Sequence, residues 1–107
     1  MKTYTGRRTA GGCAVTVSDD GGEHPLAPRL DLRRHSLTGF EWGYGGSGPA
    51  QLALALAADV LADDAAAVDA YQRLKFRVVA PLAADGWTQT EAEHADALRA
   101  LARPDGE

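Results

Sequence analysis

The hydrophobic pattern of the chain changes its period once. Residues 4–9 and 13–18 form two short segments with β-branched and aromatic residues, and Ala-Gly-Gly at 10–12 separates them. Such residues are typical of strands, and glycines suit a tight turn. These residues predict an antiparallel hairpin.

Strand signals after the hairpin are weaker. Residues 19–22, Asp-Asp-Gly-Gly, break the chain. Alternation over 29–33 predicts a third strand, and Pro25 and Pro28 before it confine that strand to a sheet edge or to the second half of the segment. We expect 37–42 to form a short strand or an irregular lead-in.

From Pro49 onward the apolar residues follow a helical period. Leucines, valines and alanines make 49–62 apolar on nearly every side, so this helix is expected in the middle of the fold. Proline suits the first helical position because its missing N–H would be unpaired there, and Ser47 or Gly48 is the predicted cap.

A second helix is predicted over 65–80, with Asp63 or Asp64 as its cap. Its end is ambiguous, because 76–82 is rich enough in β-branched residues to form a strand and Pro81 stops either element. We favour the helix.

The last helix is predicted to reach residue 103. Asp-Gly at 85–86 marks a turn before it, Trp87 is expected in the core, and Thr88 with Glu91 matches a capping box. The predicted inner face consists of Ala95, Leu98, Leu101 and Ala102.

Strands followed by helices predict an α+β fold, with a small N-terminal antiparallel sheet of two to four strands packed on two or three C-terminal helices. At 107 residues and 45% hydrophobic content, the chain fits a single domain, 1–107. We expect 1–42 to be mainly β, 49–103 mainly α, and 104–107 to be a frayed tail.

The charge is uneven: the net charge is −4, with +1 on residues 1–47 and −5 on residues 48–107. An acidic half argues against general nucleic-acid binding, which needs a basic face. Asp59, Asp63 and Asp64 interrupt the most apolar run, which excludes a membrane span, and no apolar signal core follows the first residues. We therefore expect a cytoplasmic protein.

The glycine-rich loop 43–48 matches G-x-G-x-x-G before a helix, where free N–H groups attract anions. A second parallel strand is missing, and Pro49 stands where a phosphate loop needs lysine. The favoured interpretation is structural: glycines allow close backbone approach while Trp42 and Tyr44 pack across the helix start. The alternative is a small anion or peptide bound by Trp42, Gly43, Tyr44, Gly45, Gly46, Ser47 and Gly48.

Other candidate chemistry is sparse. Cys13 lies in a predicted strand, so a buried thiol is expected. Glu91 and His94 have the spacing of a helical metal site, but no further ligands of that type are found, and a solvated helix face is favoured. The basic clusters at 7–8 and 33–35 are interpreted as plain surface. No metal or cofactor is predicted.

The block Trp-Gly-Tyr-Gly-Gly-Ser-Gly-Pro at 42–49, which extends to Ala55, resembles an uncharacterised family of small bacterial, archaeal and phage proteins. The opening Tyr-x-Gly-x-Arg at 4–8 and later aromatics are shared with it, here Tyr71, Phe76 and Trp87. The resemblance implies no reaction. It implies an accessory factor acting on host machinery, of the anti-CRISPR type.

The function hypothesis is a noncatalytic protein-binding factor, an inhibitor of a host nucleic-acid-handling or defence complex. Its partner would be a host protein or nucleoprotein complex with a basic surface, and direct nucleic-acid or membrane binding is not expected. The predicted contact residues are Asp59, Asp63, Asp64, Asp69, Glu91, Glu93 and Asp96. A small-ligand protein using the glycine loop is the alternative, and a small enzyme using Ser47, His94 or Glu41 is a third hypothesis.

Overall fold

A computed structural model describes residues 2–36 and 39–101. The predicted α+β class is confirmed: an antiparallel four-stranded sheet is combined with three α-helices. The elements are β1 (Thr3–Thr9), β2 (Gly12–Asp19), β3 (Gly22–Pro25), α1 (Ser47–Leu61), α2 (Asp64–Leu74), a π-helix (Lys75–Val79), β4 (Gly86–Thr90) and α3 (Glu91–Leu101). The predicted tail 104–107, the side chains of Leu101 and Ala102, and part of the predicted lead-in 37–42 lie outside the described residues.

The predicted hairpin is confirmed as β1 and β2, which pair from Thr3↔Ser18 to Thr9↔Gly12. Their alternation buries Tyr4 on β1 and Val15 and Val17 on β2. The sheet order is β3-β2-β1-β4, so this hairpin occupies its centre.

The predicted third strand at 29–33 is wrong, because that segment forms a turn. The Leu32 N–H donates to the Arg29 carbonyl at 3.0 Å, and Arg29 has a left-handed φ of 56°. The third strand is β3, immediately after the 19–22 break. That break is a two-residue hairpin turn, in which Asp19 pairs with Gly22. A polar, exposed edge strand such as β3 carries no alternation that the sequence could reveal.

The fourth strand, β4, was not predicted. It pairs with β1 across most of the chain length and places Trp87 opposite Gly6. A Cβ atom at Gly6 would lie 2.3 Å from the Trp87 Nε1, so the glycine of the Tyr-x-Gly-x-Arg segment makes room for the indole. Trp87 is buried in the core, as predicted.

The capping box of α3 is shifted by two residues from its predicted place. Thr88 lies in β4, and Thr90 and Glu93 form the box: the Thr90 N–H donates to the Glu93 carboxylate at 2.7 Å, and the Glu93 N–H donates to the Thr90 hydroxyl at 3.2 Å. Pairing of β4 with β1 through Thr90 prevents an earlier helix start. Glu91 instead accepts the backbone N–H of Lys2 at 3.1 Å.

The central helix is confirmed as α1, in which every residue from Gly48 to Ala58 is buried. Its cap is Gly46, one or two residues before the predicted position, because the helix already includes Ser47. It ends at Ala62, whose N–H donates to the Ala58 carbonyl at 3.0 Å. No helix in the described ranges is both long and apolar enough to cross a membrane.

The second helix is capped by Asp63, which accepts the Ala66 N–H at 3.1 Å, as predicted. Beyond α2 the chain stays helical but widens into the π-helix, where the Ala80 N–H donates to the Lys75 carbonyl at 2.8 Å. The helical interpretation of 76–82 therefore holds as far as residue 79. β-branched Val78 and Val79 fit a regular helix poorly, and Pro81 ends it.

A buried glutamine fastens the connection between β3 and α1. The Gln51 Oε1 accepts the N–H groups of His35 and Ser36 at 2.8 and 3.1 Å. Its Nε2 donates to the carbonyls of Pro28 and Arg33 at 2.6 and 3.1 Å. All four hydrogen-bonding positions of this amide are used, so one side chain of α1 holds the whole loop.

Candidate functional site

The glycine loop 43–48 is tied to the end of the π-helix. The Gly43 N–H donates to the Val79 carbonyl at 3.1 Å, and Gly43 has a left-handed φ of 87°. A Cβ atom at this position would also lie 3.4 Å from the Leu82 carbonyl oxygen. The left-handed conformation therefore calls for glycine here, whereas the contact distance alone would admit a side chain.

The start of α1 is covered by protein. Gly48 is buried, and a Cβ atom there would lie 2.6 Å from the Cβ of Glu41. The Glu41 carboxylate turns away to Arg8, which donates two hydrogen bonds to it at 3.0 and 3.1 Å and lowers its pKa. Pro49 removes one N–H from the first turn. These contacts support the structural interpretation of the loop; anion binding by its amides stays a prediction.

Substitution at Gly48 measures how tightly this helix start is packed. Gly48→Ala is expected to lower the free energy of unfolding by about 2 kcal/mol, because the added methyl meets the fixed base of the Glu41 side chain. Gly45→Ala is the matched control: its methyl would lie 3.2 Å from the movable tip of Phe76, and a loss of about 0.5 kcal/mol or less is expected. Equal losses in urea unfolding would contradict the packed helix start.

Trp42 belongs to the core. Its indole N–H donates to the Ala84 carbonyl at 3.2 Å, and its ring meets Trp87 edge to face with centroids 5.6 Å apart. The Arg8 guanidinium lies 5.2 Å above the Trp42 ring. Trp42 thus anchors the loop from beneath and offers no free stacking face on that side.

Tyr44 was expected to pack across the start of α1, but 53% of it is exposed. Its ring lies over Gly46, and the ring of Phe76, which is 63% exposed, lies over Gly45. The Lys75 Nζ is 4.3 Å from the Phe76 ring centroid. We call these five residues, Tyr44, Gly45, Gly46, Lys75 and Phe76, the aromatic corner.

The aromatic corner holds the only exposed large hydrophobic side chains in the described ranges. Sequence reasoning found Tyr44 through the glycine block but gave Phe76 no surface role. Phe76 lies off the inner helical face, and the π-helix changes the direction of side chains relative to a regular helix. The sequence does contain one indication of this exposure: Phe76 is an aromatic residue that does not fall on the apolar face of the predicted helix.

The seven acidic residues predicted as a contact surface mostly serve the fold. Asp63 and Glu93 cap helices, and Glu91 accepts the Lys2 N–H. Asp64 pairs with Arg29 at 2.9 Å. Two of these four carboxylates thus cap a helix locally, and the other two join segments that are distant in sequence.

Two of the remaining three acidic residues are also paired. Asp59 accepts the Tyr4 hydroxyl at 2.6 Å and the Lys2 Nζ at 3.1 Å, and Asp96 pairs with Arg99. Asp69 is exposed. Only a small part of the expected acidic surface is thus uncommitted within the described residues.

His94 does not lie on a solvated face, so that prediction is wrong. It is fully buried and packs edge to face on Tyr4, with centroids 5.3 Å apart. Neither ring nitrogen has a partner within the described ranges, and burial lowers the pKa of His94 to about 4. Ser47 and Glu41, the other residues of the enzyme hypothesis, lie at the start of α1.

Cys13 is only partly buried, not enclosed as predicted, because it lies next to the turn of the hairpin, opposite Arg8. Desolvation and its neighbour Glu41 raise the pKa of the thiol. No group of three histidine, cysteine or acidic side chains in the described part of the chain could hold a metal ion.

Together these features define a small α+β domain with one exposed aromatic corner. Residues 4–100 match the model of a family of unknown function, DUF6166, and the chain belongs to that family. The matched range includes the hairpin, the glycine loop and almost all of α3. Searches of curated proteins and of solved structures found no match.

Proposed function

We propose that this protein is a noncatalytic binding module that docks onto another protein through the aromatic corner. The observation that supports this is the exposure of Tyr44 and Phe76, 53% and 63%, over the consecutive glycines Gly46 and Gly45; no other large apolar side chain in the described ranges is exposed. Adjacent exposed aromatics are typical of protein contact sites, where tyrosine often contributes much of the binding energy.

The corner is preorganised for such a contact. Each ring rests on a glycine, and the Gly43 N–H bond to Val79 joins the loop to the π-helix. Because the rings are already supported, little side-chain freedom remains to be lost on binding.

The charges around the corner support an acidic partner segment. Lys75 lies over Phe76, and Arg73 and Arg77 are exposed on the same helical segment. We therefore propose a partner segment with acidic residues around an apolar side chain, in place of the basic surface expected from the sequence. The host nucleic-acid-handling or defence complex suggested by the family resemblance remains the proposed source of that partner.

Comparative affinity capture tests the proposal. The wild-type chain, Tyr44→Ala and Phe76→Ala are immobilised and exposed to native host lysate, with Gln72→Ala, an exposed α2 position, as the matched control. We expect a partner that wild type and control retain equally, and that each aromatic variant retains at least tenfold less well, about 1.4 kcal/mol. A partner set that is identical for all four chains would contradict the proposal.

A further inference from the structure

A cavity of about 300 Å³ lies between the C-terminal half of α1 and the loop that follows β3. It shares no lining residue with the aromatic corner. Its size is at the lower end of the range for small-molecule sites, about 300 to 1,000 Å³. The cavity can therefore hold a small metabolite but not a nucleotide with its phosphates.

The inner wall of the cavity is made of methyl groups. Ala55, Ala58 and Ala62 line it from the α1 side, at positions spaced by three and four residues along one helical face. Longer side chains at these positions would fill the space. The wall suits a short apolar group.

The rim of the cavity carries two cations and one carboxylate: Lys2, Arg29 and Asp59. Lys2 gives one of its three N–H groups to Asp59. Arg29 uses its Nε and Nη2 on Asp31 and Asp64, and its Nη1 makes no hydrogen bond within the described ranges. Both cations therefore retain donors for a ligand.

Asp59 supplies a hydrogen-bond acceptor for a ligand. Its Oδ2 accepts from the Tyr4 hydroxyl and from Lys2, while its Oδ1 has no donor among the described residues. Tyr4 is fully buried, and burial raises its pKa, so its hydroxyl stays a donor that fixes the carboxylate. The rim therefore presents a fixed acceptor, the Asp59 Oδ1, beside the unused N–H donors of Lys2 and Arg29.

The backbone at the cavity is strained. Within the described ranges, Arg29 and Ala62 are the two non-glycine residues with positive φ, at 56° and 53°, and both line this cavity. Each such residue costs about 1 kcal/mol, and strain of this kind concentrates at ligand-binding sites. The turn at Arg29 and the end of α1 at Ala62 both contribute to the lining of the cavity.

We propose that this cavity binds a small zwitterion, an α-amino acid with a short branched apolar side chain. Its carboxylate would accept from Lys2 and Arg29, its ammonium would donate to the Asp59 Oδ1, and its side chain would contact the alanine wall. A simple anion fits less well. It would lie beside the Asp59 carboxylate, and it has no ammonium group of its own to offset the repulsion between the two negative charges.

Titration of the isotope-labelled full chain with valine tests the site by NMR. Saturable shifts are expected at Ala55, Ala58 and Asp59. Isovalerate lacks the ammonium and isobutylamine lacks the carboxylate; each is expected to bind at least tenfold more weakly than valine. An absence of shifts with valine, or equal binding of valine and isovalerate, would overturn the proposal.

Two variants separate binding from folding. Ala58→Leu places a longer side chain against the cavity and is expected to abolish the valine shifts, with circular dichroism checking that the variant is folded. Asp59→Asn removes the negative charge but keeps an oxygen for the Tyr4 hydroxyl, so it is expected to weaken valine binding at least tenfold and to strengthen isovalerate binding. Asp69→Asn is the control and should change neither. If Ala58→Leu does not fold, the Asp59→Asn variant tests the proposal alone. An unchanged preference of that variant for valine over isovalerate would reject the site.

Discussion

Gln51→Leu is expected to lower the free energy of unfolding by about 3 kcal/mol. The substitution leaves two carbonyls and two N–H groups of the 28–36 connection without their partners at a fully buried side chain. Each unpaired buried group costs about 1 to 3 kcal/mol, and re-exposure of the loop to water recovers part of the sum. Urea unfolding followed by circular dichroism measures the change.

Gln72→Leu is the matched control for this prediction. Gln72 is exposed on α2 and donates one hydrogen bond, to the Tyr71 hydroxyl at 3.2 Å. A loss of about 0.5 kcal/mol or less is expected there. Similar losses for Gln51→Leu and Gln72→Leu would show that the loop does not depend on Gln51.

Gln51→Glu is expected to make the stability of the fold depend on pH at the same site. A carboxylate would face the carbonyls of Pro28 and Arg33, which repel it, whereas the protonated acid can donate to one of them. The folded-state pKa of the new acid would therefore lie above its unfolded value. Stability is then lost as pH rises through this window, so destabilisation should be greater at about pH 8 than at about pH 4.

Acid is expected to destabilise the fold by about 3 kcal/mol through His94 alone. Burial lowers the pKa of His94 from 6.5 to about 4, so the unfolded chain takes up a proton first as pH falls. The stabilisation is complete above about pH 6.5 and is lost progressively down to about pH 4. At about 1.36 kcal/mol per pKa unit, the shift corresponds to the stated loss.

His94→Leu removes this titration and two buried nitrogens that lack partners within the described ranges. The variant should be as stable as wild type or more stable at pH 7, and the gap between them should widen by about 3 kcal/mol on acidification to about pH 4. Gln72→Leu, which removes no titratable group at an exposed position on α2, should follow the wild-type pH dependence. Parallel curves for wild type and His94→Leu would refute a buried, neutral His94.

Local patterns in the sequence predicted the elements whose own residues determine them. The β1–β2 hairpin follows from β-branched and aromatic residues around a glycine turn, and α1 follows from an apolar run after Pro49. The Asp63 cap is likewise a local feature, one side chain accepting an N–H three residues later. Such elements need no knowledge of distant contacts.

Features that depend on distant contacts were missed. β4 is a strand because β1 offers it an edge, and the Gly6–Trp87 pairing lies far apart in sequence. The same pairing moves the start of α3 and carries the capping box with it. His94 was assigned to solvent because nothing near it in sequence shows that Tyr4 will cover it.

Only part of the candidate site could be predicted from the sequence. The glycine block marked the loop and Tyr44, but the other ring, Phe76, reaches the same surface only because of the π-helix. Gln51 escaped notice because its four partners all lie in a loop with no regular pattern. The acidic residues were visible, but their intramolecular partners were not.

The most direct test of the binding proposal is an NMR footprint of the captured partner on the isotope-labelled chain. The account predicts that the largest shifts fall on residues 43–46 and 75–79, around Tyr44 and Phe76. Shifts confined to Asp69, Asp96 and their neighbours, with the aromatic corner unchanged, would contradict it.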